Sequence, residues 1–396
     1  MLPDVLYPAA GLISHNDGSL PFSFGKSRMF VAVGLIVVGL VALVLGGELL
    51  VRGASALAAF LGVSPLIIGL TVVAFGTSAP ELAVSLKAGL SGQADIAVGN
   101  VVGSNIFNVL FILGISALVS PLVVHSQLIR RELPLMVLVS AMTWGMALEG
   151  TLSQLAGFAL FLALIVYVAW SVVESRRESQ AVVQEFAEAY DHPPRSRRGL
   201  AIQVLWIVLG LIALAIGSRW LVDGAVMIAR QMGMSELLIG LTIVAAGTSL
   251  PEVVASIVAA AKGERDIAVG NVVGSNLFNL MCVLGVTALV VPGGISVAPS
   301  ALWQEMPVMI AASVMCLPIF FTGYRIDRWE GGLLLAWYVL YTTYLVLVAT
   351  DSPLAPTVGS WALWGGVPLT VLILLASVVW SRSSGPQMLD VGDKRA

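Results

Sequence analysis

The sequence predicts an all-α polytopic membrane protein: two inverted five-helix repeats forming a ten-helix core, plus one extra C-terminal spanning helix. Three observations lead there. Of 396 residues, 58% are hydrophobic and only 11% charged, with a mean hydropathy of +0.96. Soluble domains are nearer about 45–50% apolar and about 25% charged. Apolar stretches long enough to span a bilayer, about 20 residues each, recur along the whole chain. Finally, one 46-residue segment occurs twice.

The composition excludes a soluble enzyme, a disordered chain and a nucleic-acid binder. Twenty Lys and Arg against 23 Asp and Glu give a net charge of −3, with no basic excess for phosphates. Cys282 and Cys316 both lie in apolar runs and read as small buried hydrophobes, with no disulfide framework. The three histidines lack metal-ligand spacing.

Eleven spans are expected, near 28–52, 63–88, 95–119, 132–149, 154–173, 200–222, 235–261, 266–291, 305–322, 331–350 and 359–380. These runs exceed strand length and do not alternate, which favours helices over a β-barrel. The first 27 residues form an N-terminal extension with no cleavable-signal pattern. Residues 174–199 are charged, contain Pro193-Pro194 and read as a cytoplasmic linker. The domain reading is thus 28–173 for the first repeat, 200–350 for the second, and 351–396 for the extra helix and tail. Placing the N-terminus outside and the C-terminus in the cytoplasm puts fifteen Lys and Arg inside and five outside, counting Arg52 as an inside loop charge. The expected location is the cell's inner (plasma) membrane.

Residues 69–114 and 240–285 align without a gap at an offset of 171, with 28 identities in 46 positions. The match extends upstream, pairing Gly46, Leu50, Val51, Gly53 and Ala54 with Gly217, Leu221, Val222, Gly224 and Ala225. Downstream the offset becomes 173, pairing Glu132, Pro134 and Met136 with Glu305, Pro307 and Met309. Each unit holds five spans, an odd number, so the second unit enters the membrane from the opposite side. Inverted repeats of this kind typify secondary transporters, with a binding site near the midplane on interrupted helices. The eleventh span has no counterpart and reads as peripheral.

The chemistry lies in the repeated Gly-Thr-Ser-x-Pro-Glu. Glu81 and Glu252 occupy equivalent positions in apolar spans. A charge at that depth costs about 2.5–3.5 kcal/mol on insertion scales. A lone Glu there is as well explained by snorkelling; two at symmetric positions point to function. Pro80 and Pro251 cannot donate to the carbonyls of Gly76 and Gly247, so the helix breaks and carbonyls around 74–77 and 245–248 are freed. Thr77 and Ser78 lie four and three residues before Glu81, on its face; Thr248 and Ser249 repeat this before Glu252. Carboxylate, hydroxyl and carbonyl oxygens without His or Cys suit hard cations such as Ca²⁺ and Na⁺.

The next helix carries a stripe of Asn100, Ser104 and Asn108, matched by Asn271, Ser275 and Asn279. Asn100 and Asn271 read equally well as ligands or as interhelical glue. Gly99, Gly103, Gly270 and Gly274 read as small faces that admit the Glu-bearing helix. Asp95 and Asp266 read as N-caps. Arg219 and Asp223 read as a structural pair, and Glu48, Glu132 and Glu305 as snorkelling side chains.

The paired GTSAPE…GSNIFN and GTSLPE…GSNLFN motifs resemble the two α-repeats of the cation/calcium antiporter superfamily, and most closely its prokaryotic sodium/calcium exchangers. The resemblance covers about residues 28–350. It implies ten helices in two inverted units, no cofactor, and Ca²⁺ and Na⁺ as transported ions. It also implies no partner beyond those ions and the bilayer, and no enzymatic activity. By the resemblance, Glu81 and Glu252 are central carboxylates shared by both ions, and Thr77 and Thr248 supply oxygens. Ser78, Ser104, Ser249 and Ser275 line flanking Na⁺ sites with the carbonyls of Ala74 and Ala245, while Asn108 and Asn279 complete the central site. Sliding of the first and sixth helices would switch access, for which Gly46 and Gly217 suit close contact. A Ca²⁺/H⁺ antiporter using the same carboxylates is the alternative; the retained serines argue against it. A cation channel remains open as a rival, and a membrane enzyme lacks a nucleophile–base pair.

Overall fold

Two long helices, Phe24–Leu61 and Arg197–Gln231, lie against each other along most of their lengths. Glycines repeat every seventh residue on both, at Gly39, Gly46 and Gly53 and at Gly210, Gly217 and Gly224. A seven-residue period keeps one stripe facing the partner helix. A Cβ at Gly46 would stand 2.8 Å from the Gly210 carbonyl, and one at Gly217 would stand 2.8 Å from the Gly39 carbonyl. The antiparallel backbones therefore touch, a contact open only to glycine. The computed structural model describes residues 24–175 and 197–383. The expected N-terminal extension, most of the 174–199 linker and the C-terminal tail lie outside the described residues.

Beside this pair sits a core of shorter, broken helices. Pro65–Thr77, here the first arm, meets Ala79–Leu90 at a 43° bend. Its counterpart, the second arm, comprises Glu236–Ile239, Gly240–Val244 and Ala245–Gly247, and leads into Leu250–Ala261. Ala94–Val119 and Arg265–Val290 carry the polar stripes. Gly69–Val73, Asn108–Ile112 and Leu128–Glu132 are π-helical, as are Gly240–Val244, Asn279–Leu284 and Ala301–Glu305 at the corresponding places. Thr71 donates to the Ile67 carbonyl and Thr242 to the Leu238 carbonyl, both at 2.6 Å, where the first of these widened turns begins. Two short antiparallel strand pairs, Leu122–Val123 with Arg325–Ile326 and Thr151–Leu152 with Ile295–Ser296, tie loops of the two halves together.

Among the described residues, eight helices are long and apolar enough to cross a membrane, or nine with the bent pair taken as one span. Of the eleven spans expected, 132–149 forms as Leu133–Met146, and 235–261 forms as the second arm and Leu250–Ala261. The first is only 14 residues long, with Arg130, Arg131 and Glu132 in the turn before it, and the second is broken before Leu250 and carries Glu252, so neither is a continuous apolar span. The last helix, Ala355–Val379, packs on Arg328–Ala349, where Trp337 Nε1 donates to Thr370 Oγ1 at 3.0 Å.

Several expectations need correction. Arg52 is no loop charge: the first helix continues nine residues past it to Leu61, and Arg52 bonds Glu48 one turn back at 2.5 Å. Glu48, about one-third exposed, is also held by Lys262 at 3.1 Å. Glu132 is 1% exposed and turns inward beside Tyr167 instead of reaching the interface. Asp95 and Asp266 are not caps. Gln93 and Glu264 hold those positions, and the aspartates sit in the first turn, where negative charge suits the helix dipole. Of the four small-face glycines, only Gly270 and Gly274 are packed, with added Cβ atoms 2.9 Å from the Leu66 carbonyl and 2.7 Å from the Leu70 carbonyl. Gly99 and Gly103 face open space because the second arm stands away from them.

The glycine contact predicts a contrast. Gly46→Val should destabilise the protein by about 1–3 kcal/mol, the usual cost of forcing atoms into a filled interface. Gly34→Ala, where a Cβ meets nothing within 4 Å, should change stability little. Thermal unfolding in detergent, read by intrinsic tryptophan fluorescence, checks both. Equal midpoints for the two variants would refute the close-contact reading.

Candidate functional site

The two Glu-bearing helices meet across the repeats, so each carboxylate is served by the other half. Ser249 Oγ donates to Glu81 Oε1 at 3.0 Å, and Ser78 Oγ donates to Glu252 Oε1 at 3.4 Å. Ser249 Oγ is also 3.1 Å from Ser104 Oγ. Thr77 Oγ1 lies 3.2 Å from Asn271 Oδ1 and 3.5 Å from Ser275 Oγ, while Thr248 Oγ1 lies 3.4 Å from Asn100 Oδ1. Most of these contacts have a counterpart 171 residues on. Glu81, Thr77, Ser249, Ser275 and Asn279 are fully buried, and Glu252, Ser78, Ser104 and Asn108 nearly so.

Asn100 and Asn271 resolve into positioning groups. Asn100 Nδ2 donates to Ser85 Oγ at 2.9 Å and to the Glu81 carbonyl at 3.3 Å. Asn271 Nδ2 donates to Ser256 Oγ at 2.9 Å and to the Glu252 carbonyl at 3.4 Å. With the amide nitrogen committed, the amide oxygen is left facing a threonine. Ser85 and Ser256 were missed in the sequence, although both are identical members of the 46-residue repeat. Asn105 and Asn276 were missed as well; Asn105 Nδ2 reaches the Asn276 carbonyl at 3.3 Å.

At each proline break at least one carbonyl already has a partner. The Ala74 carbonyl is not stripped of partners, because it accepts the Ser78 N–H at 3.0 Å and has Thr77 Oγ1 at 3.4 Å. The Gly247 carbonyl, released by Pro251, accepts Ser218 Oγ at 2.6 Å. Ala245 is exposed on the second arm.

What remains unpaired is informative. Glu81 Oε2, Glu252 Oε2 and both amide atoms of Asn108 and of Asn279 are buried without a hydrogen-bond partner. The turn Asn279–Leu284 packs against Ala79–Leu90, and Asn108–Ile112 packs against Leu250–Ala261, which brings each orphaned amide to the helix of one orphaned carboxylate. Buried polar atoms are rarely left so in soluble or membrane interiors. Carboxylate and amide oxygens in this setting can hold hard cations. Access is one-sided. Thr77, at the end of the first arm, is buried with Asn271 and Ser275, whereas Asn100, Gly103 and Thr248 are partly exposed beside the second arm.

Comparison with known proteins agrees with this chemistry. The family model "Sodium/calcium exchanger protein" matches residues 31–173 and 202–347. Inner membrane protein YrbG of Escherichia coli (strain K12) is 44% identical over 288 residues, covering 72% of this chain and 88% of that one. Sodium/calcium exchanger MaX1 of Methanosarcina acetivorans is 35% identical over 346 residues, covering 79% and 98%. A solved structure of the sodium-calcium exchanger NCX_Mj, soaked with zero Na⁺ and Ca²⁺, superposes with a TM-score of 0.69 at 30% identity, covering 80% of this chain and 99% of that one. A multi-pass membrane protein with this match over most of its length belongs to the sodium/calcium exchanger family.

Proposed function

We propose that this chain exchanges Na⁺ for Ca²⁺ across the membrane by alternating access, at one central site between its two halves. The carrying observation is the set of orphaned oxygens on Glu81, Glu252, Asn108 and Asn279, buried among hydroxyls that already serve the carboxylates. Two carboxylates neutralise one Ca²⁺ or help hold several Na⁺, but not both together. Competition of that kind couples the two fluxes. The empty site retains unpaired buried charge, which opposes an unloaded transition.

In this reading Glu81 and Glu252 bind both ions, and Thr77 and Thr248 add oxygens. Ser78, Ser104, Ser249 and Ser275, with the carbonyls of Ala74 and Ala245, line Na⁺ positions on either flank. Asn108 and Asn279 offer neutral amide oxygens to the central ion. The ten-helix core is two inverted five-helix units, 28–173 and 200–350, with the last helix peripheral. The inside excess of Lys and Arg supports an N-out, C-in arrangement, although Arg52 and Arg219, both within long helices, no longer count as loop charges on either side. In that orientation the exposed side of the site, at Gly103 and Thr248, faces outward. The retained serines favour Na⁺ over H⁺ as the counter-ion.

The deciding experiment is Ca²⁺ uptake into proteoliposomes loaded with Na⁺, compared with an equal pH gradient and no Na⁺. Uptake driven by Na⁺ alone supports the proposal; uptake driven by protons alone replaces it with the Ca²⁺/H⁺ antiporter. Uptake that needs no counter-ion gradient would indicate a channel.

Glu81→Gln and Glu252→Gln should each abolish Ca²⁺ transport while leaving the protein folded, because each keeps the shape and removes half the charge facing Ca²⁺. Near wild-type flux in either variant would remove that residue from the site.

A second outcome follows from Asn108 and Asn279. With amides in both repeats, the site holds two formal negative charges, from Glu81 and Glu252. If three Na⁺ exchange for one Ca²⁺, as the family resemblance suggests, one net charge moves per cycle, a coupling of about 2.3 kcal/mol per 100 mV. A further K⁺ would have no carboxylate to balance it. Na⁺-driven uptake should therefore respond to membrane potential and persist when choline replaces K⁺ with the potential clamped. Collapse of uptake on K⁺ removal would contradict the argument from Asn279.

A further inference from the structure

The halves share a sequence pattern but not a conformation. The first arm is closed on Gly270 and Gly274, whereas the second arm stands off Gly99 and Gly103. The two long helices share this inequality. Phe24–Leu61 packs along Leu250–Ala261, where a Cβ on Gly47 would meet Val254 at 3.0 Å and Val258 at 3.2 Å. The corresponding face of Arg197–Gln231 has no comparable packing on Ala79–Leu90.

One ion pair spans the packed contact. Lys262 Nζ, at the end of Leu250–Ala261, lies 3.1 Å from Glu48 Oε1 on the first long helix, with Arg52 as a second cation at Glu48. Both side chains of the pair are only about one-third exposed, at 32% and 35%. At the offset of 171, Glu48 and Arg52 become Arg219 and Asp223, with the charges reversed. Arg219 reaches Asp223 on its own helix at 4.0 Å and is 79% exposed. Lys262 corresponds to Ser91, and Val258 corresponds to Lys87.

We propose that the Glu48–Lys262 ion pair is a latch that holds the molecule in the access state seen here. The proposal rests on the exchanger reading for one premise, that transport swaps the conformations of the two halves, as inverted repeats do. The swapped state would lay Arg197–Gln231 along Ala79–Leu90. There Arg219 would meet Ser91 where Glu48 now meets Lys262, close to the like charge of Lys87. An attraction present in one state is thus replaced by a repulsion in the other. The ligating residues are the same in both repeats, so the bias arises outside the ion site.

The test is amide hydrogen exchange of the intact protein in lipid nanodiscs in choline medium, comparing peptides from the two arms. Lys262→Gln and Glu48→Gln should each speed exchange in the first arm and slow it in the second. The ratio should change by roughly two- to fivefold, the size expected of a partly exposed ion pair. Lys262→Arg should behave as wild type. Unchanged exchange in both arms, or equal acceleration in both, overturns the latch; equal acceleration would mark general loosening. Because the readout needs no flux, opposite shifts in a chain that proved unable to exchange Na⁺ for Ca²⁺ would keep the latch and refute only the transport reading.

Discussion

Two carboxylates buried in an apolar bundle set the terms for the rest of this structure. Neither repeat satisfies its own. Glu81 takes a hydroxyl from Ser249 and Glu252 takes one from Ser78, so each acid depends on the other half of the chain. Removing water from a charged oxygen is expensive unless hydrogen bonds or an opposite charge replace it. The serines supply one bond per carboxylate, and the second oxygen of each stays open. A half-satisfied arrangement of this kind is poor as a structural device and well suited to a site whose missing partner is an ion. Asn100 and Asn271 fit the same logic. Their amide nitrogens donate to the backbone carbonyl of each glutamate and hold the helix there.

Much of this was legible in the sequence because the repeat carries it. A gapless match over 46 positions identified Glu81 with Glu252, Thr77 with Thr248 and Asn108 with Asn279, and Pro80 and Pro251 marked the breaks. Periodicity found the polar stripes, since their spacing is helical. What stayed hidden depended on tertiary contact. Nothing local says that Glu132 turns inward, or that Glu48, four residues before Arg52, also reaches Lys262 more than 200 positions away. The π-helical turns were hidden for the same reason: a widened turn follows from packing, and no residue spells it. Ser85 and Ser256 are a different case. Their identity in both repeats was a usable signal, overlooked because serine in an apolar helix reads as filler.

Glycine spacing sets how closely the elements around the site pack. The long helices touch backbone to backbone at seven-residue intervals, with no side chain interposed at Gly46 or Gly217. A contact this close packs the two helices tightly together. The core helices are bent and widened, so the polar groups at their breaks are held by neighbours such as Ser218 on Gly247. Between the long pair and the core, Val254 and Val258 meet Gly47, and the Ser218 bond to Gly247 crosses the same boundary from the second long helix.

Where the repeats agree and where they differ therefore divide by task. The candidate site residues are duplicated, so the two halves offer the same side-chain types. The residues between the long helices and the core are not: Gly47 against Ser218, Glu48 against Arg219, Lys262 against Ser91. Unequal contacts shift the populations of two states, and thereby the apparent affinity on each side. They cannot set the direction of net exchange, which belongs to the ion gradients alone, because a bias in the protein favours a state and not a flux. In the exchanger proposed above, divergence at that contact tunes how long the site waits on one side of the membrane without disturbing which ions it exchanges.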